Sequence, residues 1–275
     1  MQAPNPAKLS INSATVREQW SLPQLIEGCV RAGIRGIAPW REQLKACGTA
    51  EAARLIREAG LTVSGLCRGG FFTGGTGQER QAALDENRRA VDEAAAIGAG
   101  CLVLVVGGLP KDSKDLAGAR AQVRDGIGSL LEYARATRVP LAIEPLHPMY
   151  AADRACVNTL GQANDLCDEL GPGAGVMVDV YHVWWDPHLE REILRAGRRI
   201  LGFHLCDWLV PTRDILFDRG MMGDGVIDIP RIRVWVERAG YAGMYEVEII
   251  SAARWWKTDP DEVLRICRQR LVEAC

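Results

Sequence analysis

Several signals that would assign this chain at once are missing. No stretch approaches the roughly 18 consecutive apolar residues of a membrane helix, and the opening MQAPNPAKLSINSAT has no positive segment leading into an apolar one. There is no basic block and no acidic tail, and the net charge is −2 over 275 residues. That balance lacks the electrostatic footprint of nucleic-acid or anionic-membrane binding. Nine cysteines, at 29, 47, 67, 101, 156, 167, 206, 267 and 275, form no CxxC pair. An odd number scattered over a chain this long is not a disulfide framework, so reduced thiols, mostly filling a core in the cytoplasm, are expected. Also absent are GxGxxG and GxxxxGK[ST]: the first strand candidate is followed by TVREQWSLP, which offers no glycine loop for a phosphate.

In their place is a steady alternation. The runs KLSINSA (8 to 14), GIRGIAPW (33 to 40), LTVSGLC (61 to 67), CLVLVVGG (101 to 108), PLAIEPL (140 to 146), GVMVDVY (175 to 181), ILGFHLC (200 to 206) and MYEVEII (244 to 250) read as eight buried strands. Between them, stretches such as LPQLIEGCVRA, ERQAALDENRRAVDEAAAI and PDEVLRICRQRLVEA repeat apolar residues every three and four positions, the helical period. Glycines 33, 60, 98, 171 and 240 stand just ahead of the next strand, where a left-handed cap closes a helix. Eight βα units of about 34 residues each match the size of a (β/α)8 barrel, and 48% apolar residues suffice for its core. The pattern predicts an α/β protein, one TIM barrel domain over residues 1–275, in preference to a doubly wound sheet.

Chemistry in such a barrel sits where strands end and loops begin. Five residues into each late strand stand Glu144 in PLAIE, Asp179 in GVMVD, His204 in ILGFH and Glu248 in MYEVE. Three carboxylates and one imidazole suit a hard or intermediate divalent ion, Mn²⁺, Mg²⁺ or Co²⁺, with Zn²⁺ also admissible. An ion chelating a substrate carbonyl and its neighbouring hydroxyl acidifies the adjacent C–H and stabilises the enediolate that forms. Glu144 and Glu248, from strands five and eight, can then flank the substrate as acid and base while also binding the metal. Return of the proton to the same carbon is epimerisation, and return to the neighbouring carbon is isomerisation. MYEVEII also holds Glu246 on the same strand face. The count sets it about 6.6 Å deeper, level with Ala142, Met177 and Gly202, as a buried carboxylate with Arg68 or Lys8 as candidate partners. His182, three residues past Asp179, falls on a loop over the rim, where it would orient a ligand or touch substrate.

The pieces IEPLH, VMVDVYH, GFHLCDW, GDGVIDIP and GYAGMYEVEI resemble the late strands of the xylose isomerase-like TIM barrels, the sugar isomerase/epimerase group that includes ketose 3-epimerases and hydroxypyruvate isomerases. The resemblance runs from Val139 to the C-terminus, and the eight-unit layout extends it over the chain. It implies one divalent metal on Glu144, Asp179, His204 and Glu248, proton exchange by the two glutamates, and contact between His182 and the sugar. The family's last glutamate lies eight residues after the first glycine of a GYxG turn, which from Gly240 is Glu248. Two places depart from the pattern. His147 and Pro148 follow Glu-Pro-Leu, where the group often has a polar residue and then a basic or aromatic one. LCDWLVPTRDILFDRGMM replaces a shorter arginine-bearing loop, with Arg213 as its candidate substrate-binding arginine.

The substrate-binding candidates are thus His182, Arg213, Trp40, Arg68 and His147. Trp40, Trp184, Trp185, Trp208, Trp255 and Trp256 follow strands and offer indole faces to a sugar or to a second subunit. The expectation is an enzyme, a divalent-metal-dependent isomerase or epimerase of a small keto sugar or its phosphate. It is expected to be cytoplasmic and a homo-oligomer, dimer or tetramer, with no nucleic-acid or membrane partner. A keto-polyol dehydratase, a lyase, would use the same centre. A non-catalytic barrel would have no need of all four ligand residues. An apurinic-site nuclease would need a basic face and more than four histidines (147, 182, 188 and 204).

Overall fold

The computed structural model describes residues 3–275. The apolar runs become the strands β1 (Leu9–Asn12), β2 (Gly36–Ala38), β3 (Thr62–Val63, resuming as Leu66–Gly70), β4 (Leu102–Val105), β5 (Leu141–Ile143), β6 (Ala174–Asp179), β7 (Ile200–Leu205) and β8 (Tyr245–Val247). Every neighbouring pair is parallel, and β1 lies between β2 and β8, so the sheet curls into a ring. Eight expected strands are nine in fact, because the third is broken. Thr62–Val63 pairs only with β2 and Leu66–Gly70 only with β4, and a bridge from Trp40 to Cys67 spans the break. The result is a nearly closed parallel barrel, the TIM barrel fold.

Helices Leu22–Ala32, Thr49–Glu58, Gly77–Ala96, Leu116–Ala136, Leu160–Leu170, Leu189–Ala196, Ile229–Arg238 and Pro260–Ala274 alternate with the strands along the chain. Local chemistry sets their ends. The Thr76 hydroxyl accepts from the Glu79 N–H at 3.2 Å while the Glu79 carboxylate accepts from the Thr76 N–H at 3.0 Å, a reciprocal cap. Gly33 closes the first helix at φ 65°, ψ 27°, the left-handed conformation that a side chain resists. Two helical pieces were not legible in the pattern. Arg41–Cys47 buries only Arg41 and Leu44, too narrow a stripe to register as periodic, and Val180–Val183 is a single turn.

The barrel interior is two-sided. Cys67, Cys101, Val103, Ala142 and Met177 pack one apolar cluster, and Gly202 makes room for it, since a Cβ there would come within 2.3 Å of the Met177 methyl. On the other side stand Ser10, Ser64, Glu246 and His204, joined by hydrogen bonds and an ion pair. All nine cysteines are unpaired and eight are buried. The tryptophans are buried or half-buried within the single chain. No helix among the described residues is long and apolar enough to cross a membrane.

Candidate active site

Glu144 directly follows β5, Asp179 closes β6, His204 is near the end of β7 and Glu248 directly follows β8; all four are buried. Their polar atoms converge. His204 Nδ1 lies 3.1 Å from Glu144 Oε1, 3.9 Å from Asp179 Oδ2 and 3.8 Å from Glu248 Oε2. Glu144, Asp179 and His204 can each present one ligand atom within 4.8 Å of the others. Glu248 is drawn aside by Arg219, whose Nη1 lies 2.9 Å from Glu248 Oε2 and 3.1 Å from Asp179 Oδ2.

The register corrects the expected alignment. His204 pairs with Asp179 across β6 and β7, but across β7 and β8 it pairs with Glu246, not Glu248. Counting from each strand's first residue ignores the stagger that barrel closure imposes between neighbours, and it ignores an irregularity between Val176 and Met177. Glu246 is therefore not level with Gly202. Its partners are neither Arg68 nor Lys8: Oε1 lies 3.0 Å from His204 Nε2 and accepts from Asn12 Nδ2 at 2.8 Å, and Oε2 accepts from Ser64 Oγ at 2.7 Å. Asn12 Nδ2 also reaches Glu248 Oε1 at 3.0 Å, tying the two glutamates together.

These contacts set the charges. Burial would raise both Asp179 and Glu246, but Arg219 and His182 hold Asp179 well below the carboxylate range, and His204 holds Glu246 down. Burial pushes Glu248 up to about 7 against the pull of Arg219 and His204. For His204, burial opposes the charge, yet Glu246 on one side and Asp179 and Glu144 on the other hold it protonated well above its usual range.

His182 is not on a solvated loop. It sits on the turn Val180–Val183, buried, with Nε2 3.2 Å from Arg219 Nη2 and 3.6 Å from Asp179 Oδ2, and its Nδ1 accepts from the His147 N–H at 3.2 Å. Burial lowers it to about 3, opposed by Asp179 and helped by Arg219, so it is neutral near pH 7. Trp40, Arg68 and His182 line a cavity over the site together with Glu144, Tyr150, Arg154, Arg219 and Glu248. His147 does not line it; the ring packs on Trp208 at 4.9 Å and Trp185 at 5.8 Å. Nor does Arg213, which is exposed and gives only its backbone N–H to Asp218 at 3.2 Å. The site arginine is Arg219, six residues on. It stands on a short ribbon, Asp207–Trp208 against Arg219–Gly220, under the Tyr181 ring at 4.5 Å. The dipeptide Arg-Gly just before MMGDG was its available signal; Asn12, ending β1, had none beyond its polarity.

The cavity holds about 40 Å³, far below the ~300 Å³ at which ligand pockets begin. Leu216 bounds it, on a loop whose Ile215 carbonyl accepts from Tyr150 Oη at 2.7 Å and Tyr181 Oη at 3.1 Å. A roomier cavity of about 550 Å³ opens at the opposite barrel end beside Pro140, Ala174, Arg198 and Leu201, away from every group described above.

The donor set fits a divalent cation. Glu144 Oε1 and both ring nitrogens of His204 are buried without an aligned hydrogen bond, Nδ1 lying 3.1 Å from Glu144 Oε1 and Nε2 3.0 Å from Glu246 Oε1. Arg219 and the protonated His204 answer these carboxylates, and a divalent ion would take over part of that role as the His204 proton leaves.

The fold and the site define a TIM-barrel protein with a carboxylate–histidine centre at the carboxyl ends of its strands. The chain belongs to the xylose isomerase-like TIM barrel family, whose model matches residues 26–267. It is 24% identical over 152 residues to the L-ribulose-5-phosphate 3-epimerase UlaE of Salmonella typhi, a match covering 55% of this chain and 49% of that protein. The chain thus aligns with about half the length of the curated relatives it matches. Among solved structures it is similar to protein SMc04130 from Sinorhizobium meliloti 1021, at 58% identity, TM-score 0.97 and coverage of 98% of this chain and 99% of that one. It also shares the fold of the IolI protein solved with a bound zinc atom, at 20% identity, TM-score 0.84 and 97% coverage of both chains.

Proposed function

We propose that the protein is a divalent-metal-dependent isomerase or epimerase of a small keto sugar or its phosphate. The observation that carries this reading is the convergence of Glu144, Asp179 and Glu248 oxygens on His204 Nδ1, all within 4 Å of that nitrogen, at a cavity lined by the two glutamates. Curated relatives that are sugar-phosphate epimerases support the class. Glu144, Asp179, His204 and Glu248 would hold the ion, with Mn²⁺, Mg²⁺, Co²⁺ and Zn²⁺ all admissible. When bound, it supplies the positive charge that acidifies the C–H beside a substrate carbonyl.

The chain's own residues do the rest. Glu144 and Glu248 reach the same nitrogen from strands β5 and β8, so a proton taken by one carboxylate can be returned by the other. In the metal-free protein burial pushes Glu248 up to about 7, so it gives up its proton readily near neutrality and is then available as a base. His182, neutral, and Arg219, always charged, present nitrogens to substrate oxygens along the cavity wall. A sugar needs more room than this cavity gives, and the loop carrying Leu216, which bounds it, is the element whose movement would supply that room.

Incubation with Mn²⁺ in deuterium oxide, over a panel of ketoses and ketose phosphates, tests this reading. Deuterium enters the carbon next to the carbonyl of the true substrate, and Glu144→Gln and Glu248→Gln each slow its entry by roughly 10²–10⁴-fold. Exchange as fast in both variants as in the parent, or no divalent ion taken up on titration, would sink it.

A further inference from the structure

The cavity floor is acidic, yet its wall carries two guanidinium groups that meet no carboxylate. Arg68, at the irregularity in Leu66–Gly70, lies over the rings of Phe71 at 4.8 Å and Trp40 at 5.5 Å. Its Nη1 is buried and has no hydrogen-bond partner among the described residues. Arg154, on the loop after β5, lies over the Tyr150 ring at 5.6 Å and likewise has no ion-pair partner among them. Both line the cavity and are half-buried, nearer to solvent than the floor.

Some other arginines are paired, Arg41 with Glu86 and Glu93 and Arg195 with Asp165, Asp168 and Glu192, while Arg231 lies over Trp235 as these two lie over their rings; what sets Arg68 and Arg154 apart is that both line the cavity over the site. The acidic floor makes no claim on Arg68 or Arg154 either, because Asp179 and Glu248 pair with Arg219, and Glu144 and Glu246 with His204. Aromatic rings against the flat face of a guanidinium leave the N–H groups at its edge free, the arrangement that receives a carboxylate or phosphate edge-on. Buried donors without a partner are rare, and a ligand commonly supplies the missing acceptor.

We infer that the substrate carries an anionic group, a phosphate or a carboxylate, on the end that faces the cavity mouth, and that Arg68 and Arg154 receive it. This names the substrate class for the reaction proposed above and rests on that reading of the site. Neutral sugars leave both guanidiniums without acceptors and bind more weakly.

The test uses ribitol, ribitol 5-phosphate and ribonate, five-carbon chains that differ at one terminal group and lack a reactive carbonyl. Calorimetric titration into the purified protein is expected to show at least one anion binding tenfold or more tighter than ribitol, and the tighter of the two identifies phosphate or carboxylate. Arg68→Gln and Arg154→Gln, each checked for an unchanged melting temperature, are expected to erase most of that advantage. Equal affinity for all three compounds overturns the inference, as does an anion preference that survives both substitutions. Since none of the probes can react, the outcome is separate from deuterium exchange. A protein that exchanges no hydrogen yet prefers the anion loses the proposed reaction and keeps this subsite.

Discussion

Glu246 Oε1 lies 3.0 Å from Nε2 of His204, on the opposite side of the ring from the nitrogen that faces Glu144. One carboxylate thus anchors the imidazole from within the barrel and leaves Nδ1 directed at the other three. A partner of this kind fixes tautomer and ring orientation for a metal-binding histidine.

Glu246→Gln keeps the shape and loses the charge. Metal affinity is expected to fall by roughly 10–100-fold with the fold intact, measured by calorimetric titration of the metal-free protein. Unchanged affinity would mean that Glu246 serves only to fill the interior.

On the proposed reading, metal uptake displaces protons. His204 is held protonated above its usual range by Glu246, Asp179 and Glu144, and burial pushes Glu248 up to about 7. A raised pKa means the proton is still bound at neutrality, so affinity rises with pH. The logarithm of the binding constant is expected to climb with a slope of about two below pH 7 and about one just above it. Asp179, held well below the carboxylate range, releases nothing. Titrations in buffers of different ionisation enthalpy count the protons released, and an affinity independent of pH between 6 and 8 contradicts the assignment.

Arg219 is the positive charge shared by Asp179 and Glu248. Arg219→Met leaves two buried carboxylates without it, and the metal-free protein is expected to lose about 3–5 kcal/mol of stability. Added Mn²⁺ then raises the melting temperature more in the variant than in the parent. Equal shifts would show that Arg219 and the ion do not answer the same charges.

Asp207 accepts from four backbone N–H groups, those of Trp208 at 2.8 Å, Gly223 and Gly225 at 2.9 Å and Ile227 at 3.0 Å. It therefore clamps the loop beyond the ribbon that carries Arg219. In Asp207→Asn one acceptor becomes a donor aimed at buried N–H groups, with an expected loss of about 2–3 kcal/mol. Chemical denaturation measures it, and a loss under half a kcal/mol would mean the loop is held elsewhere.

Much of the fold was legible because its signals are local. The strand runs, the helical periods and the glycines at 33, 60, 98, 171 and 240 depend on neighbours in sequence; each glycine has positive φ, although Gly171, at ψ −157°, ends its helix outside the left-handed helical conformation expected of it. Glu144, Asp179, His204 and Glu248 were legible for a related reason: each is a metal-competent side chain at the end of an apolar run. What escaped depends on relations between distant segments. The pairing of Glu246 with His204 follows from barrel stagger, which no single strand records. Arg219 lies past a loop whose exposed Arg213 offers the same functional group earlier in the chain. The burial of His182 follows from a one-turn helix capped by Asp179, whose Oδ1 accepts from the Tyr181 N–H at 2.8 Å.

The break in the third strand reaches further than the ladder it interrupts. Ser64 stands in that break, and its hydroxyl meets both Ser10 Oγ and Glu246 Oε2 at 2.7 Å. A hydroxyl chain thus runs from the barrel's middle through Glu246 to His204, in space that other barrels fill with branched aliphatic side chains. Valine at position 64 would leave the buried Glu246 Oε2 without that hydroxyl, an unsatisfied carboxylate that costs stability and also loosens the support beneath the imidazole. The firmness of this half of the barrel and the aim of His204 thus rest on the same few polar atoms.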